Sequence, residues 1–200
     1  MIRLLLWPIV LTLLLLGGIV WVAAPAPHQH KTYALPVHKT LYLERSIYNE
    51  EMFHIVEAAI EWNEATNGQV IFDIKRLPQS DIDPTNAVII LNVTPDYPKI
   101  IACDRFNYYA TVGYTDIDPS LDSILLVDER ITNKEYSAIV MHELGHELGL
   151  EHIRGIEGIN TLMCPNITLG ASHITNIDLH YFCKLYHCDE SKFHGISEIQ

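Results

Sequence analysis

Basic residues are scarce in this chain. Only 13 Lys and Arg stand against 25 Asp and Glu, leaving a formal net charge of −12. They gather in no cluster beyond isolated pairs, which argues against a nucleic-acid partner, because phosphate backbones call for a basic surface. Cysteine is sparse too: there are 4, and the first is Cys103, so no lipid-bearing cysteine follows the N-terminal run. Internal repeats are missing, and so are low-complexity tracts beyond one short linker. Charge is almost absent from residues 1–24, where Arg3 is alone.

What stands in place of charge there is an apolar run from Leu4 to Ala24, long for a signal-peptide core and just long enough to span a bilayer. Val22-Ala23-Ala24 has the small residues of a cleavage site, but Pro25 follows directly and hinders processing. An uncleaved anchor is favoured over a cleaved signal, with Trp21 suited to the membrane interface. Arg3 stays inside, so the remainder of the chain is exported, either anchored or secreted. Residues 25–36 hold three prolines with His28 and His30 and read as a linker. Residues 37–200, 48% of the whole chain being apolar, suffice for one domain of about 160 residues.

In that domain, Val37 to Leu43 reads as a strand. A helix capped by Ser46 or Asn49 runs to about Thr66, with Met52, Ile55, Val56, Ala59, Ile60 and Trp62 at helical spacing. Strands are expected over Gln69–Lys75, Ala87–Val93 (continuously apolar, hence a buried parallel strand), Ala110–Thr115 and Ser123–Val127. A helix follows from about Thr132 to Leu150, and a last one from about Ser172 to Tyr186 with Ile174, Ile177, Phe182 and Leu185 facing inward. In an exported domain four cysteines suggest disulfides, with three possible connectivities, among them a local Cys183–Cys188 bridge.

Residues 142–152 read His-Glu-Leu-Gly-His-Glu-Leu-Gly-Leu-Glu-His. His142 and His146, four apart, share one helix face and can hold one zinc ion, with Glu143 within reach of a water there. Gly149 lets the backbone leave the helix, and His152 swings back as third ligand. Three protein ligands leave a position open, the mark of a catalytic zinc. Glu147 and Glu151 are expected to point elsewhere, into solvent. On the last helix His173, His180 and His187 recur every seven residues with Cys183 between them. A second metal site at His180, Cys183 and His187 is the sharper reading, and a polar stripe with a structural cysteine the preferred one.

The stretch resembles the metzincin metalloprotease signature HExxHxxGxxH, complete at His142, Glu143, His146, Gly149 and His152. Leu162-Met163-Cys164-Pro165, eleven residues beyond His152 by Met163, resembles the methionine turn of the same group. Together with Gly-His-Glu-Leu-Gly-Leu it looks most like the matrixin branch. The resemblance implies an α+β, zincin-type fold: a mixed, mostly parallel twisted sheet with one antiparallel edge strand, a zinc-binding helix and a C-terminal helix after the methionine turn.

That resemblance also implies an endopeptidase acting on extracytoplasmic proteins or peptides, with one catalytic zinc, Glu143 as general base, and calcium left open. An extended peptide would add to the strand containing Ala110, Thr111, Val112 and Gly113. The membrane is a partner only through the N-terminal segment, and a monomer is assumed. No pro-domain-sized segment and no cysteine lies between Pro25 and the first strand, so location rather than a cysteine block is expected to restrain activity. Two other readings stay open: a zinc hydrolase of a non-peptide amide or ester, and an exported binding module with a vestigial site.

Overall fold

This computed structural model describes residues 33–78, 82, 86–98, 112–116, 122–127, 130–166 and 169–193. The apolar run 4–24, most of the linker, Ala110, Thr111 and Cys103 lie outside the described residues. Among those described, no helix is long and apolar enough to cross a membrane.

Among the described residues, five strands form one sheet: β1 (Val37–Leu43), β2 (Val70–Arg76), β3 (Ala87–Asn92), β4 (Gly113–Asp116) and β5 (Asp122–Leu126), in the order β2-β1-β3-β5-β4. β1 pairs in parallel with both β2 and β3, and β3 in parallel with β5, whereas β4 is antiparallel to β5 and closes one edge. The sheet is therefore mixed and mostly parallel with one antiparallel edge strand, as the resemblance noted in the sequence implies. Burial explains the strand sequences: Leu41, Leu43, Val88, Ile90, Ile124 and Leu126 are all fully covered, the condition under which near-continuous apolar runs are stable as parallel strands.

Among the described residues the α-helices are α1 (Asn49–Ala65), α2 (Asn133–Glu147) and α3 (Asn176–Tyr186). Neither Ser46 nor Asn49 caps α1. Tyr48 occupies the cap position, and Glu51 reaches back to accept from its amide at 2.5 Å, so the acid one turn in satisfies the free end. Ile55, Ala58, Ala59, Trp62 and Ala65 face the core, while Ile60 is 50% exposed. The small residues at 58, 59 and 65 let α1 lie close to its neighbours. Trp62 tethers it to α2 by donating from Nε1 to the Met141 carbonyl at 3.0 Å. Asn67 and Gly68, both at positive φ, end α1 as expected.

The last helix begins four residues later than the sequence suggested, at Asn176, because Thr175 caps it. Its buried residues are Asp178, Leu179, Phe182, Cys183 and Tyr186, and Ile177 lies on the open side. Cys183 and Cys188 are joined by a disulfide across the end of α3, which settles one of the open pairings. Cys164 is buried and free.

Candidate metal centre

The centre is built where α2 ends. Tyr136, Ile139, Val140, Met141, Leu144 and Leu148 bury α2 in the core and fix its rotation. His142 and Glu143 follow it into the interior, 8% and 5% exposed. The helix then closes with a Schellman turn: Leu150 N–H donates to Gly145 O at 3.0 Å and Gly149 N–H to His146 O at 2.8 Å, with Gly149 at φ +87. That reversal brings His152 back towards the helix face.

The three imidazoles meet. His152 Nε2 lies 3.1 Å from His142 Nε2 and 3.2 Å from His146 Nε2. Each of the two helical histidines is held from behind. His142 Nδ1 is 2.7 Å from the Leu162 carbonyl and His146 Nδ1 is 2.8 Å from the Leu150 carbonyl. A carbonyl only accepts, so Nδ1 carries the proton in both rings, and the Nε2 lone pairs point at His152. One proton on His152 cannot satisfy two such lone pairs, whereas a shared cation can. Tetrahedral zinc with bonds of about 2.0–2.1 Å sets its ligand nitrogens about 3.3 Å apart, close to the separations found. The donor set and its spacing fit zinc.

Met163 is fully buried beneath the helix. A Cβ on Gly145 would come within 2.5 Å of its sulfur. Gly145 thus has a packing reason to be glycine, between the two helical histidines. Gly145→Ala is expected to cost about 1–3 kcal/mol through overpacking, visible as a lower melting temperature of the metal-free protein; an unchanged melt would mean that Met163 yields freely.

Asp178 holds the turn at Leu162 and Met163. Its carboxylate, fully buried, accepts from the amides of Leu162 (2.9 Å), Met163 (3.0 Å) and Thr175 (2.9 Å), and from the Thr175 hydroxyl (2.7 Å). The Leu162 carbonyl that orients His142 is therefore fixed by an acid on α3. Ile153 N–H donates to Met163 O at 2.9 Å and ties the chain after His152 to the same turn.

Glu143 lies against the edge strand. A Cβ on Gly113 would come within 2.5 Å of its Oε1, so β4 approaches this closely only because residue 113 has no side chain. Thr115 donates from Oγ1 to Glu143 Oε2 at 2.6 Å. Burial pushes the Glu143 carboxyl up to about 7, the Thr115 hydrogen bond opposes this, and the nearby Glu147 carboxylate adds to it. Glu147 corrects an expectation. It is not solvated but 4% exposed, paired at 2.7 Å with Lys39 Nζ from β1, which also lies 3.4 Å from Asp122. Glu151 is exposed, as expected.

Burial also holds the histidines neutral, pushing His142 down to about 3, His152 down to about 4, and His146 below its ordinary value. Each folded value lies below 6.5, so the stability tied to these groups is complete above that pH and is lost as pH falls towards 4 and 3. Glu143, raised from 4.5, works in the opposite sense between 7 and 4.5, one group against three. The metal-free protein should melt at a lower temperature at pH 5 than at pH 7, and an equal or higher value at pH 5 would contradict the burial described here.

Of the predicted substrate strand, Gly113 heads β4 and Val112 precedes it, accepting from Val127 N–H at 2.9 Å; Ala110 and Thr111 lie outside the described residues. No second metal site forms at His180, Cys183 and His187. Cys183 is in the disulfide, His180 Nδ1 is 2.8 Å from Glu190 Oε1, and His187 is the left-handed cap of α3. Among the described residues, His142, His146 and His152 are the one group placed to share a metal ion. Asp178, Thr115 and the Lys39–Glu147 pair were not singled out from sequence. The Thr175-x-x-Asp178 spacing, a capping-box pattern, was the available signal for the first.

No protein-family model matches this chain, and no curated protein matches it by sequence. Its fold is similar to that of high choriolytic enzyme 1, a hatching enzyme zinc-protease from Oryzias latipes (medaka fish). The TM-score is 0.50 at 12% identity, over 80% of this chain and 97% of that one. The likeness is one of architecture alone, an α+β, zincin-type fold with a mixed, mostly parallel sheet.

Proposed function

We propose that this chain is a zinc-dependent endopeptidase of matrixin-like type. One observation carries the reading: three Nε2 atoms converge at the helix that also sets a buried carboxylate against β4, the outer strand of the sheet among the described residues. His142, His146 and His152 would hold the ion. Zinc there supplies Lewis acidity, polarising a carbonyl oxygen and acidifying water.

The protein's own groups do the rest. β4 is the outer strand of the sheet, so an extended peptide can lie alongside it and pair through its backbone. Gly113 brings that strand to the Glu143 carboxylate. Glu143, with its affinity for protons raised by burial, accepts a proton from the attacking water and delivers it to the departing amine. Thr115 holds the carboxylate in place during both transfers. The apolar residues 4–24 support an exported protein tethered at a membrane, with residues 37–200 as its catalytic domain.

The test is a peptide-library digest with the full-length chain, run as isolated, after chelation, and after zinc is restored. Cleavage that disappears and returns supports the proposal. A chain that binds one zinc and cuts no peptide in the library defeats it, and directs attention to amide or ester substrates.

A further inference from the structure

The turn between α2 and His152 is secured on several sides. Besides the two Schellman bonds, Tyr186 Oη donates to the Leu148 carbonyl at 3.0 Å, and Ile153 N–H binds Met163 O. Gly149, at the centre of the turn, presents bare backbone, and Tyr33 covers it. A Cβ on Gly149 would lie 2.5 Å from both Cε1 and Oη of Tyr33. Tyr33 is itself held by Tyr186, their rings meeting edge to face at 5.3 Å and 66°. It is the first residue of the compact unit Tyr33–Gln200.

We infer that Tyr33 is a positioning residue for the metal centre: by covering the Gly149 turn it fixes where His152 stands. The inference rests on the reading of His142, His146 and His152 as metal ligands. His142 and His146 are each aimed by a backbone carbonyl behind the ring. Among the described residues, His152 has no carbonyl behind its ring, and its nitrogen contacts are to the other two histidines. Its place is set by the backbone that carries it, and that backbone is the turn under Tyr33. A side chain at the start of the domain, remote in sequence, thereby acts on the third ligand. The contact is made by the ring, with an edge carbon and the hydroxyl equally close, so phenylalanine should serve nearly as well.

The experiment uses the full-length chain, stripped of metal, with zinc affinity measured by chelator competition and geometry read from the visible spectrum of the cobalt(II)-loaded protein. Tyr33→Ala should weaken zinc binding about ten- to hundredfold and shift the cobalt spectrum, while Tyr33→Phe stays within about twofold of the parent. Phe72→Ala, in the remote strand β2, lowers the melting temperature and should leave both metal readouts unchanged, separating position from general stability. Should Tyr33→Ala not fold, Tyr33→Leu, which keeps apolar cover without a ring, should show the same direction of change. Parent-like zinc affinity and cobalt spectrum in the alanine or leucine variant would overturn the inference while leaving the metal centre intact. A parent chain that binds no zinc would overturn the ligand reading and this inference with it.

Discussion

Glu143→Gln should leave one zinc per chain and reduce peptide hydrolysis about 10²- to 10⁴-fold in kcat, the usual worth of a positioned general base. The carboxamide keeps the shape of the carboxylate, and its oxygen can still accept from Thr115 Oγ1, now at 2.6 Å from Oε2. The ability to take up a proton is what disappears. Because burial already raises the Glu143 carboxyl to about 7, a neutral group should be no harder to bury, and the variant should melt no lower than the parent. Glu143→Ala is a poorer test, since it opens space beside Gly113 and leaves Thr115 without this acceptor. The measurement is kcat on one cleaved peptide with metal content on the same preparation. A glutamine variant with more than about a tenth of parental kcat would remove Glu143 from the chemistry.

Asp178→Asn should be the most damaging conservative change in the fold. Its two carboxylate oxygens accept from three backbone amides and one hydroxyl. An asparagine has one oxygen to offer, so whichever way it is turned its NH2 faces a donor. The best arrangement keeps the oxygen towards Leu162 and Thr175 and opposes the amide of Met163. Losing one bond to a charged acceptor and stranding a buried donor costs about 3 kcal/mol, a fall of roughly 6–12 °C in melting temperature for a domain of this size. The damage should reach the metal, because the Leu162 carbonyl that aims His142 belongs to the same turn, and disturbing such supports lowers affinity about 10- to 100-fold. Thermal melts and chelator competition on the full-length chain measure both. Unchanged melting and unchanged zinc affinity would show that the turn does not depend on Asp178.

The convergence of His142, His146 and His152 was legible because its geometry is local. Four residues along a helix and a glycine-led reversal are settled within residues 142–152, and no distant contact is needed to see them. β3 was legible for a similar reason, its apolar run being the direct consequence of burial in a parallel sheet. Helix faces were less so. Ile60 and Ile177 continue plausible apolar stripes, yet both face outward, because periodicity cannot say which of two overlapping stripes meets the core. Glu147 looked solvated because a carboxylate on a helix usually is. Its neutralising partner, Lys39, is 108 residues away on β1. Asp178 has the local sequence of an ordinary first-turn acid, and the amides of Leu162 and Met163 that bind it come from a separate turn. In each case the deciding contact crosses the fold, and local sequence contains one half of it.

The edge at β4 bears on how this protein behaves in concentrated solution. A sheet edge able to receive a peptide strand can also receive the same edge of another molecule, and long, flat edges seed aggregation that way. Among the described residues β4 spans Gly113–Asp116, while the opposite edge, β2, carries Asp73, Lys75 and Arg76. The charges on β2 guard that edge against pairing with a second molecule, and under the proposed function the outer strand β4 is the edge that takes an extended peptide.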